Sequence, residues 1–321
     1  MPEVYGEPLS GDPFTDRRRT GVGGSDAGAI LGVSPYASAL SVYEDKRGIS
    51  PDGFVPSERM VWGSRLESAV LQGYAEDTGR KVHKGRFLRS KRYPFVVGHP
   101  DALADDRLIE VKVTGRLDER WGPDGSDEVP AHYYAQVQHY LVLTDRFVAD
   151  LAALVGGREL HIYTIPADKE FQDAMLEEEA AFWQQVQDGT PPDPDGSESA
   201  GAALRRMFPM AVPEEVIATP EVAYYVESYL TAKGMVDIAE AEMDRWGQLV
   251  QQFMGARERL VGPGFTATWA NRAGRTSWQK VAAVYRDLLV PHLDDDQLDA
   301  IIEKSKSEPS RAFSVRKGAD K

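Results

Sequence analysis

The chain contains no cysteine, which removes disulfides, thiolate nucleophiles, zinc–thiolate sites and Fe–S clusters together. It also has no run of about 18 apolar residues, so no segment reads as a membrane-spanning helix. The opening MPEVYGEPLSGDPFTDRRR lacks the apolar stretch of a secretory signal, and these absences set the expectation of a cytoplasmic protein without a membrane partner. Positive charge is in deficit: 37 Lys and Arg face 51 Asp and Glu, for a net charge of −14. Taken alone, that sum argues against nucleic acid, because neutralising phosphates needs Lys and Arg.

The distribution of charge says otherwise. Arg17, Arg18 and Arg19 are contiguous, and the stretch 80–92 carries Arg80, Lys81, Lys84, Arg86, Arg89, Lys91 and Arg92 with no acidic residue among them. The acidic excess lies elsewhere, notably at 177–179 and 294–296. A charge run is usually a solvated face. These basic runs flank the segment that carries the chemistry described below, which also makes them candidates for a DNA channel.

At 321 residues, with 42% hydrophobic and 9% aromatic content, the chain has room for an ordinary globular core and a second unit. Short helices are expected at 25–31 and 39–46, split by a turn at 32–35, and a longer one at 58–78 with Ser57 as its cap candidate. Strands are expected at 82–88, 95–97, 102–104 and 108–113, then a helix at 131–143. A hairpin at 147–155 and 159–165 turns at Gly156-Gly157, and a helix follows at 168–188. The segment GTPPDPDGSESAG, 189–201, reads as a linker. Beyond it come a long helical pattern at 221–260, which Gly234 and Gly247 could interrupt, short strands at 265–269 and 276–278, and a helix from about 280. There is no internal repeat. The order predicts an α/β core at 1–189, a linker at 190–212, and a mainly helical C-terminal extension at 213–321.

The segment GHPDALADDRLIEVKVTG, 98–115, concentrates the chemistry. In a strand over 108–113, side chains alternate faces, so Ile109, Val111 and Val113 point one way and Leu108, Glu110 and Lys112 the other. If Asp105 and Asp106 form a two-residue turn, Ala104 pairs with Arg107 and Asp101 stands opposite Glu110. Cross-strand Cβ atoms are roughly 4.5–5.5 Å apart, which brings two carboxylates within reach of one hard divalent cation. Lys112 would then position a water or neutralise developing negative charge. A surface hairpin with an ordinary Glu–Lys pair fits the same spacing.

Pro100-Asp101 followed by Glu110-Val111-Lys112 resembles the PD-(D/E)xK nuclease signature. More specifically, the chain resembles the YqaJ-type viral recombinases, relatives of the phage lambda exonuclease. The resemblance rests on segments in family order: Gly21-Val22-Gly23-Gly24-Ser25-Asp26 with Ile30-Leu31-Gly32 and Ser34-Pro35-Tyr36; Trp62-Gly63 with Glu67; Gly98-His99-Pro100-Asp101; and Tyr133-Tyr134-Ala135-Gln136-Val137-Gln138. They span about 18–165, half the chain.

The resemblance implies a restriction-endonuclease-like core, a central mixed sheet flanked by helices. It also implies Mg²⁺, with Mn²⁺ able to substitute, held by Asp101, Glu110, the carbonyl of Val111 and Glu67. Lys112 would be the catalytic lysine, and Gln136 would hold a phosphate oxygen or the water. Ser25, Tyr133 and one of Arg18 or Arg19 would receive the 5′-phosphate end; the alignment is ambiguous by one residue. The Gly-Gly-Ser turn opening a helix also offers backbone N–H groups to an anion. His99 has only a flanking role.

The implied activity is digestion of linear double-stranded DNA, 5′ to 3′, leaving 3′ single strands for phage recombination in a bacterial host. A single-strand annealing protein and a homo-oligomeric ring are the implied partners. Other readings stay open at this point: a PD-(D/E)xK endonuclease, a helicase-associated repair nuclease without an Fe–S cluster, or an inactive DNA-binding or assembly module. In the extension, Tyr225, Tyr229, Trp246 and Trp269 read as core or coil-packing residues. Trp269 and Trp278, with Arg272 and Arg275 between them, are the alternative DNA or partner contact.

Overall fold

The computed structural model describes residues 17–49, 57–271, 274, 277–289 and 295–305. They divide into two compact units, with the boundary after Pro209.

The first unit is built on a five-stranded mixed sheet of order β1-β4-β5-β6-β7, with β1 His83–Lys84, β4 Ala102–Leu103, β5 Leu108–Thr114, β6 Val148–Val155 and β7 Glu159–Pro166. β5 and β6 run parallel, and the other neighbours are antiparallel. A parallel pair needs a crossover, supplied here by helix α4, Ala131–Thr144. Because β5 is the middle strand, both its faces are covered. Leu108 packs with Val137, Tyr140 and Leu141 of α4, while Ile109 and Val111 pack with Val70, Leu71 and Tyr74 of helix α3, Glu58–Thr78. Residues Leu108 through Val111 are buried on both sides, Glu110 included.

Local chemistry explains the helix limits. The Ser57 hydroxyl accepts the Met60 N–H at the start of α3, and Gly79 closes it at φ 67°. Helix α1, Gly24–Ile30, and helix α2, Ala39–Lys46, form with helix α5, Lys169–Asp188, a cluster around Val22, Tyr43, Phe182 and Val186. Gly24 is required by close approach: a Cβ there would lie 2.6 Å from the Tyr140 ring.

Four expectations differ from the structure. The strand read over 82–88 is broken into β1 and a separate short strand β2, Leu88–Arg89, which pairs with β3, Val97–Gly98. The break falls at Gly85, whose N–H donates to the Asp101 carbonyl and whose missing Cβ would meet the Pro100 carbonyl oxygen at 1.7 Å. The segment read as linker contains helix α6, Glu198–Met207, which is amphipathic. Its Ala200 and Ala203 pack on Leu40 of α2, and Arg206 pairs with Glu44.

The other two differences lie in the second unit. Helix α7, Pro220–Met254, runs through Gly234 and Gly247 without a break. Each glycine costs a helix only about 1 kcal/mol. The hairpin that follows is β8, Arg259–Gly262, with β9, Phe265–Thr268, around Pro263-Gly264, where Gly264 has φ 76°. Trp278, expected in a strand, instead opens helix α8, Trp278–Leu289, and helix α9 covers Asp295–Lys304. Arg272 and Arg275 lie outside the described residues. No helix among the described residues is long and apolar enough to cross a membrane.

Candidate active site

Asp101 and Glu110 meet through the turn anticipated from sequence. The Ala104 N–H donates to the Arg107 carbonyl at 2.9 Å, and Leu103 and Ala102 stand opposite Leu108 and Ile109. In that register Asp101 is across from Glu110. Asp101 has left the ladder, and its Oδ2 accepts the Val111 N–H at 2.8 Å in place of a strand carbonyl. The carboxylate is thereby pinned beside β5.

Glu110 is buried, and its two oxygens have different fates. Oε1 accepts Lys112 Nζ at 2.6 Å and Gln136 Nε2 at 2.7 Å. Oε2 is buried with no hydrogen-bond partner among the described residues. An orphaned carboxylate oxygen is costly unless something outside the chain satisfies it. Burial, then the Asp101 charge, with Glu67 adding a smaller push, raise the Glu110 carboxyl to about 8 against the pull of Lys112. Glu67 is also raised, by burial and Asp101, while Lys84 and His99 oppose. Lys112 holds its proton more tightly than usual: burial acts against the charge, and Glu110 and Asp101 outweigh it. The Lys112 ammonium also lies 5.1 Å from the centre of the Tyr133 ring.

Glu67, Asp101, Glu110, Val111, Lys112, Tyr133 and Gln136 all line one cleft of about 800 Å³. The five residues assigned to catalysis from sequence are therefore brought together from α3, the β4–β5 hairpin and α4. Glu67 faces the cleft, while the nearby Arg65 lies over Trp62. Among the described residues no three acidic or histidine side chains are closed up into a finished metal cage. Asp101 Oδ2 is spent on the Val111 amide and Glu110 Oε1 on Lys112 and Gln136, while the buried Glu110 Oε2 has no hydrogen-bond partner among the described residues. An oxygen-only donor set with crowded carboxylates suits a hard divalent cation.

A second cavity of about 320 Å³ adjoins through Tyr36, Tyr133 and Gln136, and holds Arg18 and Ser25. Here the structure separates two residues that sequence could not. Arg18 is exposed and reaches Asp26 at 3.8 Å, while Arg19 is buried and its guanidinium pairs with Asp45 at 3.2 Å. The expected anion cradle at the Gly-Gly-Ser turn is altered as well. The Gly23 N–H already donates to Asp26 Oδ2 at 2.7 Å, and Asp26 is held by Lys46. The Gly23 amide is thus taken by the helix's own carboxylate, and the cavity is lined by Arg18 and Ser25 together with Asp26 and Asp45.

A third cavity of about 460 Å³ shares Tyr36, His132 and Tyr133 and adds Arg59, Arg116, Arg120 and Trp121. Of these, sequence reasoning assigned a role to Tyr133 alone and none to Tyr36, Arg59, Arg116, Arg120, Trp121 or His132. Tyr36 stood in a quoted motif and His132 preceded another, which was the available signal. Burial, with Arg120 and Lys112 nearby, lowers His132 to about 4, so its imidazole is neutral at neutral pH. Of the basic run at 80–92, part is structural: Arg89 holds the Pro94 carbonyl and Thr20, and Arg80 pairs with Asp106.

A mixed sheet whose middle strand presents Glu110 and Lys112 beside a hairpin aspartate, covered by helices on both faces, is the α/β class that the PD-(D/E)xK resemblance implied. Over residues 13–146 the chain is similar to the YqaJ-like viral recombinase domain family. The uncharacterized protein YqaJ of Bacillus subtilis (strain 168) is 29% identical over 269 residues, covering 81% of this chain and 83% of that one. Among solved structures, similarity extends to an alkaline exonuclease (LHK-Exo) from Laribacter hongkongensis, at 18% identity and a TM-score of 0.44 over 54% of this chain and 91% of that one. A phage-related exonuclease from Haemophilus somnus 129PT aligns at 17% identity and a TM-score of 0.43, over 53% of this chain and 94% of that one.

Proposed function

We propose that the chain is a divalent-metal-dependent deoxyribonuclease that digests linear double-stranded DNA from its ends, 5′ to 3′, leaving 3′ single strands for phage homologous recombination. The observation that carries this reading is Glu110: a buried carboxylate with one orphaned oxygen, crowded by Asp101 and Glu67 and flanked by Lys112 and Gln136.

Asp101, Glu110, Glu67 and the Val111 carbonyl would hold the ion. Mg²⁺, or Mn²⁺ in its place, would supply an activated water and charge stabilisation at the scissile phosphate. Lys112, protonated and fixed by Glu110, stabilises negative charge developing on the phosphate. Gln136 fixes the Glu110 carboxylate from α4. Arg18, Ser25 and Tyr133 line the adjoining cavity and would receive the 5′-phosphate, whereas Arg19 supports the wall through Asp45. A ring of several copies and an annealing protein acting on the 3′ strand are further parts of the proposal, supported by family resemblance.

Two measurements test it. Calorimetric titration of Mn²⁺ into wild type should show binding that Glu110→Gln weakens by an order of magnitude or more. Linear duplex labelled at the 5′ end should release labelled mononucleotide before label placed at the 3′ end appears. Equal Mn²⁺ affinity in both proteins, or first release from the 3′ end, would contradict it.

A further inference from the structure

Helix α7 is 35 residues long and carries a heptad that the nuclease reading leaves unused. Val222, Tyr229, Val236, Met243 and Val250 repeat every seven residues, and so do Tyr225, Ala232, Ala239, Trp246 and Phe253, three positions later. None of these ten positions is charged. Charges sit off the seam, at Glu227, Asp237, Asp244 and Arg245. A strict seven-residue repeat over five heptads is the pattern of a coiled-coil seam. Yet the eight large seam residues are between 39% and 73% exposed, and Ala232 and Ala239 are exposed as well. The aromatic residues read from sequence as core or coil-packing are therefore exposed among the described residues.

We propose that this seam packs against the same helix of a second copy, in antiparallel orientation. The inference does not depend on the nuclease reading. Area supports it. Four aromatics per copy, each with roughly 150–250 Å² and about half exposed, plus four aliphatics, give two copies more than about 1,000 Å², the level at which specific interfaces begin.

Layer sizes select the orientation. A parallel pair would stack Ala232 on Ala232 and Ala239 on Ala239, leaving voids beside layers of paired Trp246 and paired Phe253; both voids and overfilled layers cost stability. With full antiparallel overlap, Ala239 faces Val236 and Ala232 faces Met243, while Val222 faces Phe253 and Val250 faces Tyr225. Tyr229 then faces Trp246. Charge agrees: the flanking Lys233 of one copy comes beside Glu240 of the other, twice by symmetry, whereas in a parallel pair Lys233 would face Ser228.

The absence of cysteine makes the test clean. Full-length Val222→Cys, Phe253→Cys and the double variant are oxidised with copper phenanthroline in air. The two sites in one chain are about 46 Å apart along a continuous helix, too far to join within it. The expected result is a covalent dimer from the double variant and none from either single variant. Self-cross-linking of the single variants would mean a parallel pair, and no cross-linking in any variant would overturn the interface. In sedimentation equilibrium, Val236→Glu with Met243→Glu should lower the particle mass at least twofold while the melting temperature holds. A monomeric wild type, or unchanged mass in the variant, would also overturn it.

Discussion

Gln136 Nε2 donates to Glu110 Oε1 at 2.7 Å, the same oxygen that Lys112 holds, so helix α4 and strand β5 fix one carboxylate together and leave its other oxygen free. Groups that orient a metal ligand typically contribute 10–100-fold in affinity or activity. Gln136→Leu should therefore weaken Mn²⁺ binding by roughly that factor with little change in melting temperature. Unchanged affinity would assign Gln136 to the substrate alone.

The two adjacent arginines should separate. Arg18→Ala should raise KM for 5′-phosphorylated duplex at least tenfold and cost no more than about 1 kcal/mol of stability, because Arg18 is exposed beside Ser25 and its pair with Asp26 is long. Arg19→Ala should instead destabilise the fold by about 1–2 kcal/mol, from the lost packing of a buried side chain and its charged hydrogen bond, since Arg19 is buried and pairs with the half-exposed Asp45. Chemical denaturation and steady-state kinetics on both variants check this. A kinetic defect shared equally by both would contradict the separation.

The Asp26–Lys46 pair should leave a mark on the acid limb of stability. Burial would push the Asp26 carboxyl up, but Lys46, Arg18 and the Gly23 N–H outweigh it and hold it below its ordinary value of 3.8. The folded state thus releases this proton more readily than the unfolded chain does. The contribution is fully present above about pH 4 and is lost as pH falls through the lowered folded value. Lys46→Met removes the compensating charge, should cost about 3–5 kcal/mol at neutral pH, and should flatten the loss of stability below pH 4. Urea denaturation between pH 2.5 and 7 reads both effects, and an acid limb identical to wild type would contradict the assignment.

Close packing at Gly24 gives a prediction independent of charge. Gly24→Ala places a methyl 2.6 Å from the Tyr140 ring, which should cost about 1–3 kcal/mol. Tyr140→Leu carries its own cost, but combined with Gly24→Ala it should be less damaging than the two separately, because the clash is shared. Strict additivity in a double-mutant cycle would show that the two residues do not meet.

Much of this was legible in the sequence because it depended on neighbours. The turn at Asp105-Asp106 set the register, and the register put Asp101 opposite Glu110. Glu67, singled out by its place after Trp62-Gly63 in the motif order, lines the same cleft. What could not be read depended on distant partners. Arg18 and Arg19 differ only in that Asp45, twenty-six residues on, takes one of them. Asp26 takes the Gly23 amide of the Gly-Gly-Ser turn, a side-chain contact that the turn's glycines do not announce. Helix α6 was hidden because GTPPDPDGSESAG is loop-like up to Ser197, and its burial depends on Leu40 and Glu44 far upstream.

The central claim is that Asp101, Glu110 and Lys112 form a nuclease centre acting on DNA ends, and one assay addresses it directly. Linear and covalently closed circular duplexes of the same sequence are incubated with Mg²⁺ and either wild type or Lys112→Ala. Wild type should degrade the linear duplex and leave the closed circle intact, and Lys112→Ala should be slower on the linear duplex by at least 100-fold. Equal degradation by the two proteins, or cutting of the closed circle, would contradict the account.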